Sequence, residues 1–560
     1  MLHAPAPTPT LATPGVPRVD TAVSLKALLE RSFKAHRHLP ACSFRGRTLS
    51  YGQLDHLSMA MAAYLQSLGL ARGDRVAIML PNTPQFLVAV CAVLRAGLVV
   101  VNVNPQLSAA DLAHQLRDAD ARAIFVMDSQ AASLLALPEG AVAPTPIVTS
   151  VGDLQGPLRS AVANRWWRRV QGLPPRVKLP DAVSFLAALD TGRQRVLLPA
   201  DVQAQEIAAL QYTGGTTGVS RGAVLLHRNL VANVLQCQAW YQSALARIPA
   251  GQQPVSVAAL PLHHIFGFSL VLLLGLHQGA CLLLIPEPHD AGSLLKVLAK
   301  QRFHLFAAVD SLFQALATHP AAATVDWQPM QLSVGGAMAV QATTAQAWKA
   351  LTGRTICQGY GLSEASPAVT CNPVDDSHFS GHLGQALPGT EVLVVNDEGL
   401  AVPAGTRGEI AIRGPQVMAG YWHRPDETAQ VMTASGHLRT GDIGVFDAQG
   451  ALRLVDRKKD LIFVSGFNVY PFEVEDVLSK MPGVRDCAAV GMPDDLAGEV
   501  VKVVLVKSDQ HSDSPSEADV RAWCSSHLAG YKRPRVVEFL PELPRSSVGK
   551  VLRRGLRDRA

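Results

Sequence analysis

Residues 212–229 read Tyr-Thr-Gly-Gly-Thr-Thr-Gly-Val-Ser-Arg-Gly-Ala-Val-Leu-Leu-His-Arg-Asn, the stretch of the chain richest in groups that could hold an anion. Tyr212 opens it. Gly214, Gly215 and Gly218 let the backbone take conformations closed to other residues and approach a ligand closely. Thr213, Thr216 and Thr217 supply hydroxyls, and Arg221 supplies a cation at the far end. Successive backbone N–H groups in such a turn form a concave nest for an anion. The apolar runs 207–210 and 223–226 on either side are strand-length, so the pattern reads as a strand–loop–strand phosphate cradle. A glycine-rich surface turn is the plainer alternative. The phosphate loop of nucleotide kinases is excluded, because no Gly-x-x-x-x-Gly-Lys-Ser/Thr occurs here.

Three further clusters could work beside that loop. Gln358-Gly359-Tyr360-Gly361-Leu362-Ser363-Glu364 sets a ring, a hydroxyl and a carboxylate after a predicted strand at 355–358. Strand C-terminal ends are where open α/β sheets bind ligands. A carboxylate beside a polyphosphate is repelled unless Mg²⁺, which prefers oxygen ligands, lies between them. Ser333-Val334-Gly335-Gly336-Ala337-Met338 runs from a strand into small residues, suiting a flat ring against backbone. Pro261-Leu262-His263-His264-Ile265-Phe266-Gly267-Phe268 is read as following a strand, with the histidine pair on it. Adjacent strand residues face opposite ways, which disfavours a metal pair. A wall for an apolar substrate, or core packing by Phe266 and Phe268, remain as readings.

The elements that must carry these residues alternate. A helix is predicted at 51–68, a strand at 75–80, a helix at 83–94, a strand at 98–103, a helix at 109–117 and a strand at 123–127. Strands at 255–260, 282–285 and 331–334 continue the series around the glycine loop. Such alternation means parallel sheets with covered faces. Beyond residue 460 a different order is predicted: strand 461–464, helix 472–480, strands 487–491 and 500–507, helix 517–527 and strand 536–539. This is a small α+β module.

The 560 residues allow several subdomains. With 48% hydrophobic and 17% charged residues, the composition is that of a globular protein with a large core. A net charge of +5 and no aromatic-interleaved basic stripe exclude nucleic acid as the expected partner. Eight scattered cysteines without a Cys-x-x-Cys pair argue against a zinc site or disulfide framework and fit a reducing compartment. Residues 1–23 read as a disordered lead-in without the pattern of a signal peptide. The apolar runs 86–103 and 265–284 are interrupted by Arg95 and by His277-Gln278-Gly279, so both read as buried core. Residues 158–172, with four arginines around Trp166 and Trp167, suit either a membrane interface or an ordinary basic surface helix.

Taken in order, the glycine loop, residues 359–364, 408–421, 439–442, 456–460 and 465–475, and Lys550 resemble the core motifs of the adenylate-forming superfamily: acyl-CoA synthetases, luciferases and nonribosomal adenylation domains. The resemblance spans about 24–556. Arg-Gly-Pro-Gln-Val-Met-Ala-Gly-Tyr-Trp at 413–422, Asp-Arg-Lys-Lys-Asp at 456–460 and Ser-Gly-Phe-Asn-Val-Tyr-Pro at 465–471 look most like bacterial long-chain fatty-acid–CoA ligases. The fold this implies is α/β: a large N-terminal domain of αβ-layered subdomains plus a small β-barrel-like part at 24–456, and a small mobile α+β lid at 457–560. The reaction it implies joins a fatty acid to ATP as acyl-AMP, releasing pyrophosphate, and then to CoA.

Carried over residue by residue, the resemblance implies that 213–218 cradle the β- and γ-phosphates, with Tyr212 and Arg221 at the ends of the loop. Thr216 and Glu364 would hold Mg²⁺. Gly335, Gly336, Ala337, Gly359, Tyr360, Gly361 and Ser363 would frame the nucleotide, and Asp442 would accept from the ribose hydroxyls beside Arg457. Lys550 would contact the carboxylate and α-phosphate in the first step only. His264 would border the acyl tunnel, Lys459 would be the hinge, and Ser465 and Gly466 would line the pantetheine channel. Plainer readings exist: Asp442 as a turn cap, and Lys550 and 456–460 as solvated polar surface.

Three departures stand out. Arg221 replaces the usual Lys, substituting a planar fork for a point charge. Ser363 replaces Thr, and His263 sits where relatives often carry an aromatic, which bears on acyl-chain preference. The expected setting is cytoplasmic, with a peripheral contact on the inner membrane face and a homodimer as further expectations. Medium-chain, aryl or carrier-protein-loading ligases are the neighbouring alternatives, and a non-catalytic nucleotide or acyl binder the alternative from another class.

Overall fold

The computed structural model describes residues 10–12, 22–138, 144–156, 160, 164, 179–213, 220–286, 288, 290–494, 497–508, 515–546 and 549–557. The chain divides into two compact units. The larger comprises Ala12–Thr390 with Arg413–Gln430, and the smaller Met1–Leu11, Glu391–Ile412 and Val431–Ala560.

Two mixed sheets build the larger unit. One runs in the order Gly420–Tyr421, Arg221–Leu226, Ile207–Thr213, Val99–Asn102, Arg75–Met79, Ala121–Met127, Thr145–Thr149, Val183–Ser184. Its strands are parallel from Ile207–Thr213 onward, and the glycine loop's own two strands are antiparallel. The other runs Gln385–Ala386, Ala368–Cys371, Ile356–Gly361, Leu332–Gly335, Leu305–Ala308, Val255–Ala258, Cys281–Leu284, Pro40–Phe44, Arg47–Ser50. Its six central strands, Ile356–Gly361 through Pro40–Phe44, are parallel. Parallel strands buried on both faces read as unbroken apolar runs, as in the fully buried Val-Val-Val-Asn of Val99–Asn102.

The helices that cover these sheets start on local signals. Ser50 and Gln53 form a reciprocal capping box at the head of Tyr51–Ser67. Pro84 begins Pro84–Arg95, where a missing N–H costs nothing. The run 86–103 is that fully buried helix plus the strand Val99–Asn102. Among the described residues, no helix is long and apolar enough to cross a membrane. Residues 158–172 lie outside the described residues except for Ser160 and Asn164.

Beneath the second sheet, Trp348 packs on Phe306, Phe313 and Trp327 with ring centroids 5.6, 4.7 and 5.1 Å away. Each such pair contributes about 0.5–1.5 kcal/mol beyond its buried area. Trp348 Nε1 also donates to Ser333 Oγ at 2.9 Å, fixing the strand that ends in Gly335.

In the smaller unit, Glu391–Val395, Gly408–Arg413, Leu438–Phe446 and Leu452–Arg457 are consecutive strands of one sheet. A second sheet runs Phe467–Val469, Ile462–Val464, Gly498–Lys507, Val484–Asp494, with Val536–Phe539 parallel on Gly498–Lys507. Helices Pro471–Leu478 and Glu517–His527 pack their apolar faces on it, through Val474, Leu478, Val520 and Cys524.

Candidate functional site

Ile207–Thr213 and Arg221–Leu226 form an antiparallel hairpin in which Thr213 faces Arg221 and Tyr212 faces Gly222. The bend between them, Gly214, Gly215, Thr216, Thr217, Gly218 and Val219, lies outside the described residues. What surrounds the bend is firmly built. The Tyr212 hydroxyl donates to Asp118 Oδ2 at 2.7 Å, and burial together with that carboxylate raises its phenol well above the ordinary range. The same Asp118 accepts from Arg424 Nη2 at 3.2 Å, and its carbonyl accepts from Trp422 Nε1 at 3.0 Å. Arg221 is committed too: Nη1 donates to Glu427 Oε2 at 2.7 Å, and its guanidinium lies 4.3 Å from the Tyr421 ring centroid.

Residues of the second sheet meet behind these groups. Gly335 closes its strand in a space where a Cβ would lie 2.7 Å from Val340 and 2.8 Å from Ile356. Gly336 lies against the Phe266 ring and near the Gly359 carbonyl, and a Cβ there would meet them at 3.1 and 3.4 Å. Ala337 follows with φ +67°.

The strand predicted at 355–358 is Ile356–Gly361, so Gly359, Tyr360 and Gly361 lie within it, not beyond its end. Antiparallel pairing with Ala368–Cys371 extends it, with Gly359 opposite Cys371 and Tyr360 opposite Thr370. Ser363 and Glu364 sit in the short 3₁₀ turn that follows. Glu364 Oε1 accepts from the Tyr421 hydroxyl at 2.8 Å, and the Glu364 carbonyl accepts from Met418 N at 2.7 Å.

His263 and His264 fall in a turn after Val255–Ala258, closed by His264 N donating to the Pro261 carbonyl at 3.0 Å. The strand assumed for them in the sequence therefore stops short, because Pro261 has no N–H to continue a ladder. Both His263 ring nitrogens are buried without a partner among the described residues. Burial, and His264 beside it, lower its pKa to about 3, so it is neutral. His264 Nδ1 accepts from Phe266 N at 3.3 Å.

In the smaller unit, strand register sets Asp442 opposite Arg457, with Nε and Oδ1 3.4 Å apart. Lys459 follows in a 3₁₀ turn, Lys458–Asp460. Gly549, with φ +73°, bends the chain so that Lys550 closes a turn on Ser546. Burial, then the positive charges of Arg457 and Lys459, lower the Lys550 pKa to about 7, against opposing pulls from Asp442 and Asp460. Lys459 is lowered as well, first by burial and then by Arg457. Asp456, buried, is raised to about 6 while its carboxylate accepts from Arg457 N and Phe472 N, both at 2.7 Å. Ser465 and Gly466, with φ +49° and +82°, form the tip of the Ile462–Val464 and Phe467–Val469 hairpin. Two positive φ values suit the twist of such a tight turn.

Burial does most to suppress the Lys550 ammonium, and the positive charges of Arg457 and Lys459 add to it, while Arg553 and Arg557 also pair with Asp460. A polyphosphate beside Arg457, Lys459 and Lys550 would favour their charged forms, so the donor set fits ATP. For a metal, no group of three His, Cys, Asp or Glu side chains that could hold an ion occurs among the described residues. The oxygen donor Glu364 has a second carboxylate oxygen with no hydrogen bond to the described residues. One carboxylate completed by hydroxyl and phosphate oxygens is the mode Mg²⁺ favours, so the residues fit that ion.

Two covered α/β sheets with a glycine-loop hairpin, and an α+β module presenting a partly buried lysine, define an adenylate-forming enzyme. The family model described as AMP-binding enzyme matches residues 29–422, and the one described as AMP-binding enzyme C-terminal domain matches 473–550. The chain belongs to the AMP-binding enzyme family. It is 43% identical over 557 residues to a long-chain-fatty-acid–CoA ligase of Escherichia coli O6:H1, covering 99% of this chain and 97% of that one. It is 33% identical to one of Bacillus subtilis, covering 95% and 94%. The crystal structure of ATP-bound MatB from Rhodopseudomonas palustris superposes with a TM-score of 0.80 at 28% identity, covering 96% and 99%.

Sequence reasoning overlooked Asp118, Tyr421, Arg424 and Glu427. Tyr421 lay inside a quoted motif, yet only the strand register of Ala223 opposite Tyr421 reveals what it touches.

Proposed function

We infer that this chain is an ATP-dependent long-chain fatty-acid–CoA ligase. One observation supports the reading most directly: Lys550, Arg457 and Lys459 lie near Asp442, cations and a carboxylate of the kinds that suit a phosphate and a ribose hydroxyl. The full-length likeness to two ligases of that name supports the acid and the acceptor.

A carboxylate is a poor acyl donor because its oxygen leaves badly. In the first half-reaction the fatty-acid oxygen attacks the α-phosphorus of ATP, the bond to the β-phosphate breaks, and pyrophosphate leaves. Lys550, as ammonium, neutralises charge developing between the acid and the α-phosphate, while Asp442 accepts from the ribose and Arg457 flanks it. The hairpin ending at Thr213 and Arg221 holds the loop that carries the outer phosphates, Gly335, Gly336 and Tyr360 frame the adenine, and Ala337, Gly359, Gly361 and Ser363 lie along the nucleotide. Thr216 and Glu364 would hold Mg²⁺, which would supply charge neutralisation at the phosphates. In the second half-reaction the CoA sulfur attacks the acyl carbon, AMP leaves and the thiol proton is released. Lys550 has then withdrawn by rotation at Lys459, leaving room for pantetheine along Ser465 and Gly466. His264 borders the acyl chain. The lid so defined is 457–560, and 24–456 carries the rest.

Pyrophosphate release from ATP with palmitate, followed by palmitoyl-CoA formation, tests the function. Octanoate, benzoate and a carrier protein in parallel assays decide chain length and acceptor. No release with any acid would end the ligase reading. Co-sedimentation with anionic vesicles, and sedimentation of the protein alone, decide the peripheral membrane contact and the homodimer.

A further inference from the structure

Segment 418–424 works as a strap across the edge of the first sheet. Ala419 N donates to the Val224 carbonyl at 3.0 Å and Trp422 N to the Gly222 carbonyl at 2.8 Å, so it pairs antiparallel with the strand that leaves the glycine loop. The same strap reaches the turn after the second sheet's Ile356–Gly361, through Met418 N to the Glu364 carbonyl and the Tyr421 hydroxyl to Glu364 Oε1. Its ring is held from the other side. Arg221 covers one face, Glu427 grips Arg221, and Arg424 joins Glu427 at 3.6 Å to Asp118 at 3.2 Å. A buried phenol locked this way has one fixed target for its O–H, and a carboxylate is the strongest acceptor it can meet.

We propose that Tyr421 is a positioning residue for the divalent cation that accompanies ATP: its hydroxyl occupies one Glu364 oxygen, fixes the carboxylate's rotamer and leaves the second oxygen to the ion. The inference rests on the reading of Glu364 as a metal-holding residue. Outer-shell donors of this kind alter metal affinity by about 10–100-fold.

Mn²⁺ binding to the enzyme with α,β-methylene-ATP, followed by electron paramagnetic resonance, tests the proposal. Tyr421→Phe keeps the ring under Arg221 and removes one oxygen. It weakens Mn²⁺ binding about 10-fold and raises the Mg²⁺ concentration for half-maximal rate by a like factor, while kcat at saturating Mg²⁺ stays within about 3-fold. Tyr421→Leu, which also lacks any side-chain donor, reads the same way should the Phe variant not fold. Unchanged Mn²⁺ affinity in a folded variant overturns the proposal, and so does a loss of kcat that added Mg²⁺ cannot restore. Unchanged affinity in Glu364→Gln removes both the proposal and the metal role of Glu364. Because binding is read on the nucleotide complex, a wild type that weakens on Tyr421→Phe yet makes no acyl-CoA keeps the role of Tyr421 and ends only the ligase reading.

Discussion

Lys550 illustrates what a single residue must reconcile. An ammonium is needed to neutralise a phosphate, yet burial beside Arg457 and Lys459 lowers its pKa to about 7 in the ligand-free protein. At pH 8.5 the free enzyme therefore carries Lys550 largely neutral. An anion bound beside it favours the charged form and raises the pKa again, so nucleotide binding takes up a proton in the window above about 7. Below that window the lysine is protonated in both states and the uptake vanishes. Calorimetry of α,β-methylene-ATP binding in buffers of different ionisation enthalpy measures it. The expected uptake at pH 8.5 is about one proton per site, falling towards zero at pH 6 and lost in Lys550→Met. A wild-type enthalpy independent of buffer at pH 8.5 would contradict this account of Lys550.

At the scale of elements, the turn joining Ile356–Gly361 to Ala368–Cys371 shows how tightly strands near the site are set. A Cβ at Gly361 would lie 2.0 Å from the Pro367 carbonyl oxygen, and backbone cannot yield as a flexible side chain would. Gly361→Ala is expected to cost about 3 kcal/mol, as other overpacked sites do. Gly530→Ala, where nothing lies within 4 Å, should stay within about 0.5 kcal/mol. Urea midpoints of the two variants make the comparison, and equal midpoints would show that the turn relaxes freely. This strand also marks where reading the sequence stopped. The alternation from Tyr51–Ser67 through Ala121–Met127 was legible because buried parallel strands and amphipathic helices differ in period. Gly359-Tyr360-Gly361 reads locally as loop, and only pairing with residues about ten positions ahead makes it strand. His263 and His264 failed in the opposite sense: an apolar run suggested strand, and Pro261 ended it. Residues that hold others, such as Asp118 and Tyr421, carry no signal of their own in the sequence, because their partners are set by register between distant segments.

For the molecule as a whole, the proposed function asks one lid to serve two reactions that cannot share a geometry. Within the smaller unit Lys550 lies close enough to Asp442 and Arg457 to feel their charge, as the proposed adenylating step asks. The same unit is laced by the part-exposed ion pairs Arg407 to Glu473 at 2.6 Å and Lys532 to Glu473 at 2.5 Å, which can break and reform, and by Phe472 N donating to the buried Asp456. Between the strands Leu452–Arg457 and Ile462–Val464 the only irregular backbone is the turn Lys458–Asp460 with Leu461, so the proposed rotation would fall there. Proline fixes φ near −65°, a value compatible with 3₁₀ geometry but closed to large rotation. Lys459→Pro should therefore retain pyrophosphate release within a few-fold, the residual loss arising because Lys458, before a proline, is disfavoured in helical space. Thioester formation from supplied acyl-AMP and CoA should fall by at least about 100-fold, since a misplaced lid forfeits the oriented attack. Lys550→Ala should behave in the opposite way, losing pyrophosphate release and keeping the thioester step. The two half-reactions, assayed separately on both variants, give a crossed pattern if the hinge and the lysine act in different steps. Parallel losses in both variants would mean that one fixed arrangement serves the whole reaction.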